Sequence, residues 1–521
     1  MVFVLHKSVL FRLYFQHVLL MKKIKIKLLS AISVLVFLFF QNLLPAQTIH
    51  VGPGQSYPDL SQAVQVVQPG DTILIHAGTY PGGGYFSNLQ GTANQWITIK
   101  NAPGDSPVFE AGGTAFQLTD PAYLRISGLI FQHQTGNGVN TDDGGSYDTP
   151  AHHVVFDGCV FRDMNATGNN DLLKLSGLDS FEIRNCQFLN GSPGGSGIDM
   201  VGCHAGVIEH NYFEQQGSNS IQAKGGTAWI RIQGNYFKEG GQRALNLGGS
   251  TGLQFFRPDT AHYEAAHLQV FSNLFVGSWA PIAYVGAVKV EVVNNTFYKP
   301  ENWVIRILQE TVDPDRFLAC GDNSFLNNII YLDHNLNTET NIGPNTRPET
   351  FLFSNNLWFN SFLPNWSGPD TPTPDLNQIL NADPLFTDPD GADFGLLPGS
   401  PAIGSGLAVP EPAEDHEGNA FLSPRSRGAL EGGFVGTSAV LNDEGIRVCP
   451  NPFAAEIYFR SEDGNVYPDL RITLYNALGQ IAFQGICESR LRLPDLPAGI
   501  YWLRIRDEKR AKEWLKQVIK R

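Results

Sequence analysis

The chain is poor in the residues that mark several protein classes. Only six of its 521 residues are cysteine, too few for a fold held by a disulfide framework, and none shows a zinc-ligand spacing. Only 17% are charged, which excludes a coiled coil and a largely disordered chain. Positive charge is in deficit, 36 Lys and Arg against 50 Asp and Glu for a net −14. That balance argues against nucleic acid as a partner. Past residue 44 no apolar run is long enough to span a membrane. Glycine (54), proline (32) and a 42% hydrophobic content remain, and the length suits one large domain and one small one.

Residues 1–46 read as an export signal. Lys22-Lys23-Ile24-Lys25-Ile26-Lys27 is a basic segment, Leu28 to Leu44 an apolar one, and Leu44-Pro45-Ala46 the candidate cleavage point. Met21 stands just before the basic run and is a candidate true start. A retained membrane anchor is the alternative.

An Asn-x-Phe beat recurs through the middle of the chain. It ends short apolar runs at Asn185-Cys186-Gln187-Phe188, Asn211-Tyr212-Phe213, Asn235-Tyr236-Phe237, Asn273-Leu274-Phe275 and Asn295-Thr296-Phe297. The period of roughly 22–30 residues is that of a stacked solenoid. Strands are short, β-branched and bounded by Gly, Asn, Asp and Pro, with no long helices between them, so parallel pairing must come from coil stacking. About 12 rungs at about 4.8 Å each make a rod about 55–60 Å long. Cys159 and Cys186 each precede a beat aromatic by two residues and are expected on adjacent rungs, as buried thiols or a disulfide. The stretch from Leu60 to Val67 has helical periodicity and suits a cap on the open end.

Pro69-Gly70-Asp71-Thr72-Ile73, Ala77-Gly78-Thr79-Tyr80 and the later beats resemble the right-handed parallel β-helix proteins of the pectate-lyase-like superfamily. Asp383-Pro384-Leu385-Phe386 and Ser400-Pro401-Ala402-Ile403-Gly404 resemble their closing rungs. The resemblance spans about 47–430 and implies an all-β solenoid. Residues 431–445 read as a linker. Val448-Cys449-Pro450-Asn451-Pro452-Phe453, Asn476-Ala477-Leu478-Gly479-Gln480 and Leu496-Pro497-Ala498-Gly499-Ile500-Tyr501 resemble, in order, the C-terminal sorting domain of type IX secretion cargo in Bacteroidetes. Residues 446–521 are therefore expected to form a small β-sandwich. The likeness implies the type IX machinery as a partner and release or attachment at the cell surface. Cys449 and Cys487 could pair there.

Alternation places a ladder of polar side chains on one flat face: Lys174, Asp199, Gln222 with Lys224, Asn246 and Arg306. Ala283-Tyr284-Val285 occupies the rung between the last two. The spacing, about 4.8 Å per rung, suits a polysaccharide. The longest insertion follows, and its Phe255 and Phe256 suit sugar stacking while Arg257 suits a carboxylate or sulfate. β-Elimination at a uronate needs a carboxylate grip, a base and an acid. Lys224 is read as the base, Arg243, Arg257 and Arg306 as the grip, and His204 and Tyr284 as alternative proton carriers. Lys224 followed by Gly234-Asn235-Tyr236-Phe237 partly resembles the chondroitinase-B and alginate-lyase family. There an Arg stands one rung after the Lys, where this chain has Leu247-Gly248, and Arg243 is four or five residues early.

Hydrolysis would need two carboxylates about 5–9 Å apart. Asp171 and Asp199 lie on adjacent rungs, and Glu209, Glu264 and Glu310 are available, Glu310 also as a substrate ligand. Asp142, Asp143 and Asp163 are candidates for calcium, with solvated turn acids as the alternative. His152-His153, adjacent on a strand, are expected to face opposite ways and not to share a metal. The expected function is a monomeric, secreted protein acting on an acidic polysaccharide. The alternatives are a non-catalytic glycan binder or adhesin, and a glycoside hydrolase.

Overall fold

The computed structural model describes residues 45–432 except 88 and 147, positions 21 and 25, and most of the strands between 446 and 520. The export signal, most of the linker and the Pro450 to Phe453 motif lie outside the described residues. Among the described residues no helix is long and apolar enough to cross a membrane.

Each coil lays down three short strands. One coil runs Asn219–Lys224, then Thr227–Gln233, then Tyr236–Lys238. Gly225 and Gly226 make the first corner and Gly234 the second, all at positive φ, where a side chain would be strained. Each strand pairs in parallel with its equivalent on the next coil, so three sheets run the length of the rod. We call them sheet I (ten strands, with Asn219–Lys224), sheet II (sixteen, with Thr227–Gln233) and sheet III (twelve, with Tyr236–Lys238). This is a parallel β-helix.

The beat builds the interior. Phe131, Phe161, Phe188, Phe213, Phe237, Phe275 and Phe297 stack in one column with ring centroids 4.7–5.0 Å apart, and Phe325, from sheet II, stacks on its end at 5.5 Å. Two residues earlier, Asn211, Asn235, Asn273, Asn295, Asn328 and Asn356 form a second column at the corner between sheets II and III. Each Nδ2 donates to the next Oδ1 at 2.9–3.1 Å. Each Oδ1 also accepts the backbone N–H of the preceding asparagine. The buried corner thereby satisfies its own polar groups, which is what makes burying amides tolerable. Cys159 and Cys186 continue this column as free, buried thiols, with the Cys159 N–H 3.4 Å from Cys186 Sγ. Burial pushes the Cys186 thiol well up. Asn185, though part of the beat in sequence, lies outside the column.

The cap is shorter than its periodicity predicts. Only Leu60–Ala63 is helical, with Asp59 accepting the Gln62 N–H. β-Branched Val64, Val66 and Val67 and the following Pro69 favour the turn that replaces the second helical turn. The packed body also includes Glu431, whose carboxylate accepts the Ser426 N–H, and Gly432, two residues past the expected end of the domain. The C-terminal unit is antiparallel, a three-stranded and a four-stranded sheet enclosing Ile457, Leu470, Ile472, Leu474, Leu503, Ile505 and Val518. Cys487 is a free thiol there.

Candidate functional site

Sheet I presents one outward row. Register aligns Asn140, Lys174, Asp199, Gln222, Asn246, Ala283, Arg306 and Asn341 on successive coils. Lys224 stands two residues along, beside Val201. The rung at 282–285 corrects one expectation. Ala283 takes the outward place and Tyr284 points into the core, fully buried, with its hydroxyl unpartnered among the described residues. Burial pushes that phenol well up, so Tyr284 neither touches substrate nor carries its proton.

The lower half of the row is a compact ion cluster. Asp199 is fully buried and is held by Lys174, while Lys224 Nζ lies 3.3 Å from its Oδ1. Lys174 also reaches Asp171, at 3.4 Å. Burial, and then the Asp199 charge, push Asp171 up to about 6. Burial opposes the Lys174 charge, yet Asp199 and Asp171 outweigh it and hold its pKa above the ordinary lysine value. Neither carboxylate meets solvent. Asp199 is therefore a support for two lysines rather than a substrate ligand, and Asp171 with Asp199 is not an open hydrolytic pair. Lys174 and Lys224 remain 24% and 14% exposed.

The upper half opens into a groove of about 670 Å³. Arg243 donates to Asn246 at 2.9 Å and reaches Glu310 at 3.2 Å. Arg306 lies over Trp303 and donates Nε–H to Asn341 at 3.1 Å. Burial, then the neighbouring Arg243, lower the Arg306 pKa. No carboxylate pairs with Arg306 among the described residues. Trp279, 47% exposed, meets Trp303 edge to face with centroids 6.2 Å apart. Glu239 and Glu301 line the same groove. Burial and the hydrogen-bonded Glu301 carboxyl raise the Glu239 pKa. Sequence reasoning missed these four residues. Their only local signal is a tryptophan shortly before each of the rungs Ile282–Val285 and Ile305–Leu308.

The other expected residues lie elsewhere. Arg257 and His204 sit at the corner between sheets I and II, tied to Asp179. Arg257 makes two 2.7 Å bonds to that carboxylate and His204 Nδ1 lies 3.1 Å from it. Burial alone would raise the Asp179 pKa, but Arg257 and His204 outweigh it and hold it to about 2. Arg257 is thus spent on an internal pair, and His204 serves the corner through its bond to the Gly226 carbonyl. Phe256 is buried against Phe317 and cannot stack on sugar, whereas Phe255 is 59% exposed. Glu264 pins the insertion by accepting from the Gly225 and Thr251 N–H groups, each at 2.9 Å. Gln222 is half-buried and Asn246 buried in the row.

Two further placements bear on metals. His153 adopts φ 54°, which kinks its strand and brings both rings to one side, His152 and His153 Nδ1 atoms 2.9 Å apart. The two histidines therefore do not face opposite ways. Asp142 and Asp143 cap turn N–H groups of Gly144 and Gly145, and Asp163 accepts from Asn190. Among the described residues no three His, Cys, Asp or Glu side chains group as metal ligands.

A family model for a right-handed β-helix region matches residues 88–297, and one for a secretion system C-terminal sorting domain matches residues 447–521. Among solved structures, a pectate lyase is 14% identical, with 74% of this chain and 97% of the other covered and a TM-score of 0.47. An alginate lyase from Paenibacillus sp. is 18% identical, with 64% and 99% covered and a TM-score of 0.40. The catalytic unit of an α-1,3-glucanase from Streptomyces thermodiastaticus is 15% identical, with 65% and 71% covered and a TM-score of 0.42. No curated protein matches the chain. The sorting domain implies secretion or attachment at the cell surface. The chain is a right-handed parallel β-helix protein that carries a C-terminal secretion sorting domain.

Proposed function

We propose that this protein binds an acidic polysaccharide along sheet I and cleaves it by β-elimination at a uronate. The observation that carries the substrate class is Arg306, a guanidinium without a carboxylate partner among the described residues, held over Trp303 in an open groove. A planar fork suits a carboxylate, and the indoles suit the apolar faces of sugar rings. Lys174 and Lys224 share the Asp199 carboxylate, so their ammonium groups stand within about one sugar ring of each other. Lys174 neutralises the uronate carboxylate, which acidifies C5–H. Lys224 must first give up its own proton; it then takes the C5 proton as the C4–O bond breaks, and the ammonium so formed returns a proton to the leaving oxygen. Arg306 lies three rungs above Gln222, about 14 Å away, so it grips the same chain a few sugars along.

One observation favours a second reading. Glu239 and Glu301 line the groove beside Trp279 and Trp303, burial and the nearby Glu301 raise the Glu239 pKa, and a pair of carboxyls flanking a sugar site is the equipment of glycoside hydrolysis. The protein is to be incubated with alginate, pectate, chondroitin and neutral glycans while ultraviolet absorbance of unsaturated uronate and release of reducing ends are followed. Absorbance that rises in wild type and vanishes in Lys224→Ala supports elimination. Reducing ends without absorbance, lost in Glu301→Gln, move the chemistry to the glutamates. Binding without either product leaves a glycan-binding surface protein.

A further inference from the structure

Sheet II carries a second groove, on a face the sheet I row does not share. Its strands bend at one position per coil, where Ser180, Ala205, Trp229, His267, Lys289 and Asp322 adopt φ between 53° and 62°. The bend residues form one outward column, and strand alternation turns a second column outward two residues along. The second column is Val207, Arg231, Gln269, Glu291 and Ser324, in register over five coils. Between the columns lies a trough of about 570 Å³. At about 4.8 Å per rung it is about 19 Å long, room for about four linked sugar rings.

Trp229 is the unusual member. Left-handed backbone is costly for a bulky residue, and the indole gains little burial in return, being 60% exposed. Its ring lies 3.8 Å from that of His267 on the next coil, the planes 7° apart. One indole face is therefore covered, and the other looks along the rod onto the preceding coil. There the column holds only the methyl of Ala205, and the next side chain is Ser180, two coils or about 10 Å from Trp229. A flat aromatic face thus bounds a slot about one sugar ring thick. The trough carries no surplus charge. Arg231 is 3.6 Å from Glu411 and Asp322 is 3.5 Å from Arg347, and Lys289 is matched by Glu291. Burial and the Lys289 charge lower the His267 pKa, which favours its neutral form. Arg231, Gln269 and Glu291 link through 3.3 and 3.2 Å hydrogen bonds, a run of donors and acceptors suited to hydroxyl groups.

We propose that this trough is a second carbohydrate site, distinct from sheet I, that takes a neutral oligosaccharide with one ring stacked on the free face of Trp229 above Ala205. The full-length protein is to be titrated calorimetrically with cello-, xylo-, manno- and laminari-hexaose. At least one is expected to bind, and Trp229→Ala to weaken it about tenfold or more. Ala205→His fills the slot with a residue the same column already accepts at His153 and His267, and is expected to weaken binding equally without loss of the β-sheet circular dichroism signal. Arg306→Ala, which disables the sheet I groove, is expected to leave this affinity unchanged. Three results would each overturn the assignment. They are no binding of any neutral hexaose, binding in both sheet II variants equal to wild type, and loss of binding in Arg306→Ala.

Discussion

The guanidinium of Arg306 lies over the indole of Trp303, its central carbon 4.5 Å from the ring centroid. The contact orients a planar cation without neutralising it, because the partner is a quadrupole rather than a carboxylate. Other cations of the rod each face a carboxylate: Arg257 faces Asp179, Arg243 faces Glu310, and Lys174 and Lys224, both still partly exposed, share Asp199.

Replacing Arg306 by alanine should weaken acidic polysaccharide binding by about 1.5–3 kcal/mol, the range for hydrogen bonds to charged groups. Arg306→Lys should recover little of it, because an ammonium lacks the fork and the stacking surface. Calorimetric titration reads both, and unchanged affinity in the alanine variant would remove Arg306 from the site.

Lys174→Met should destabilise the rod by about 3–5 kcal/mol, since it leaves two buried carboxylates, Asp171 and Asp199, short of their shared cation. Lys224→Met should cost less, because Asp199 keeps Lys174. Chemical denaturation of the two variants measures the order, and equal losses would refute it.

Asp171 makes stability depend on pH in the reverse of the usual carboxylate sense. Its folded pKa is about 6, above the unfolded value near 4, so the folded state holds the extra proton between them. Its contribution is full below about pH 4 and is lost as pH rises through about 6. Asp179, held to about 2, behaves oppositely, and its contribution is lost as pH falls from about 4 towards 2. Melting temperature against pH should show both trends, and Asp171→Asn should flatten only the upper one.

Asn235→Ala should cost about 1–3 kcal/mol by leaving the buried Asn211 N–H without its acceptor. Asn185→Gly should be near neutral. That residue is exposed and sits at φ 54°, where glycine is favoured. Thermal unfolding of the pair separates the column from the repeat in which it was first seen.

Much of the row was legible. Lys174, Asp199, Gln222, Asn246 and Arg306 share one register because strand alternation has period two and apolar neighbours mark the inward phase. The phase was lost at Ala283 and Tyr284, where both residues are buried and apolar pattern offers no contrast. Burial depth was also invisible, since Asp199 points outward yet is sealed by two long lysine side chains. The Trp279, Trp303, Glu239 and Glu301 groove escaped because its parts come from corners of different coils, where no periodicity operates.

The sequence alone determined the coil: its beat, its corner glycines and asparagines, its inward aromatics and its sorting segment are local patterns that repeat with the chain. Only the tertiary structure decided which outward groups are available. Arg257 pairs with Asp179, 78 residues earlier, and Trp229 stacks on His267 across an inserted loop. Such pairings depend on how whole coils stack and where insertions return, and side chains distant in sequence meet only once that register is set.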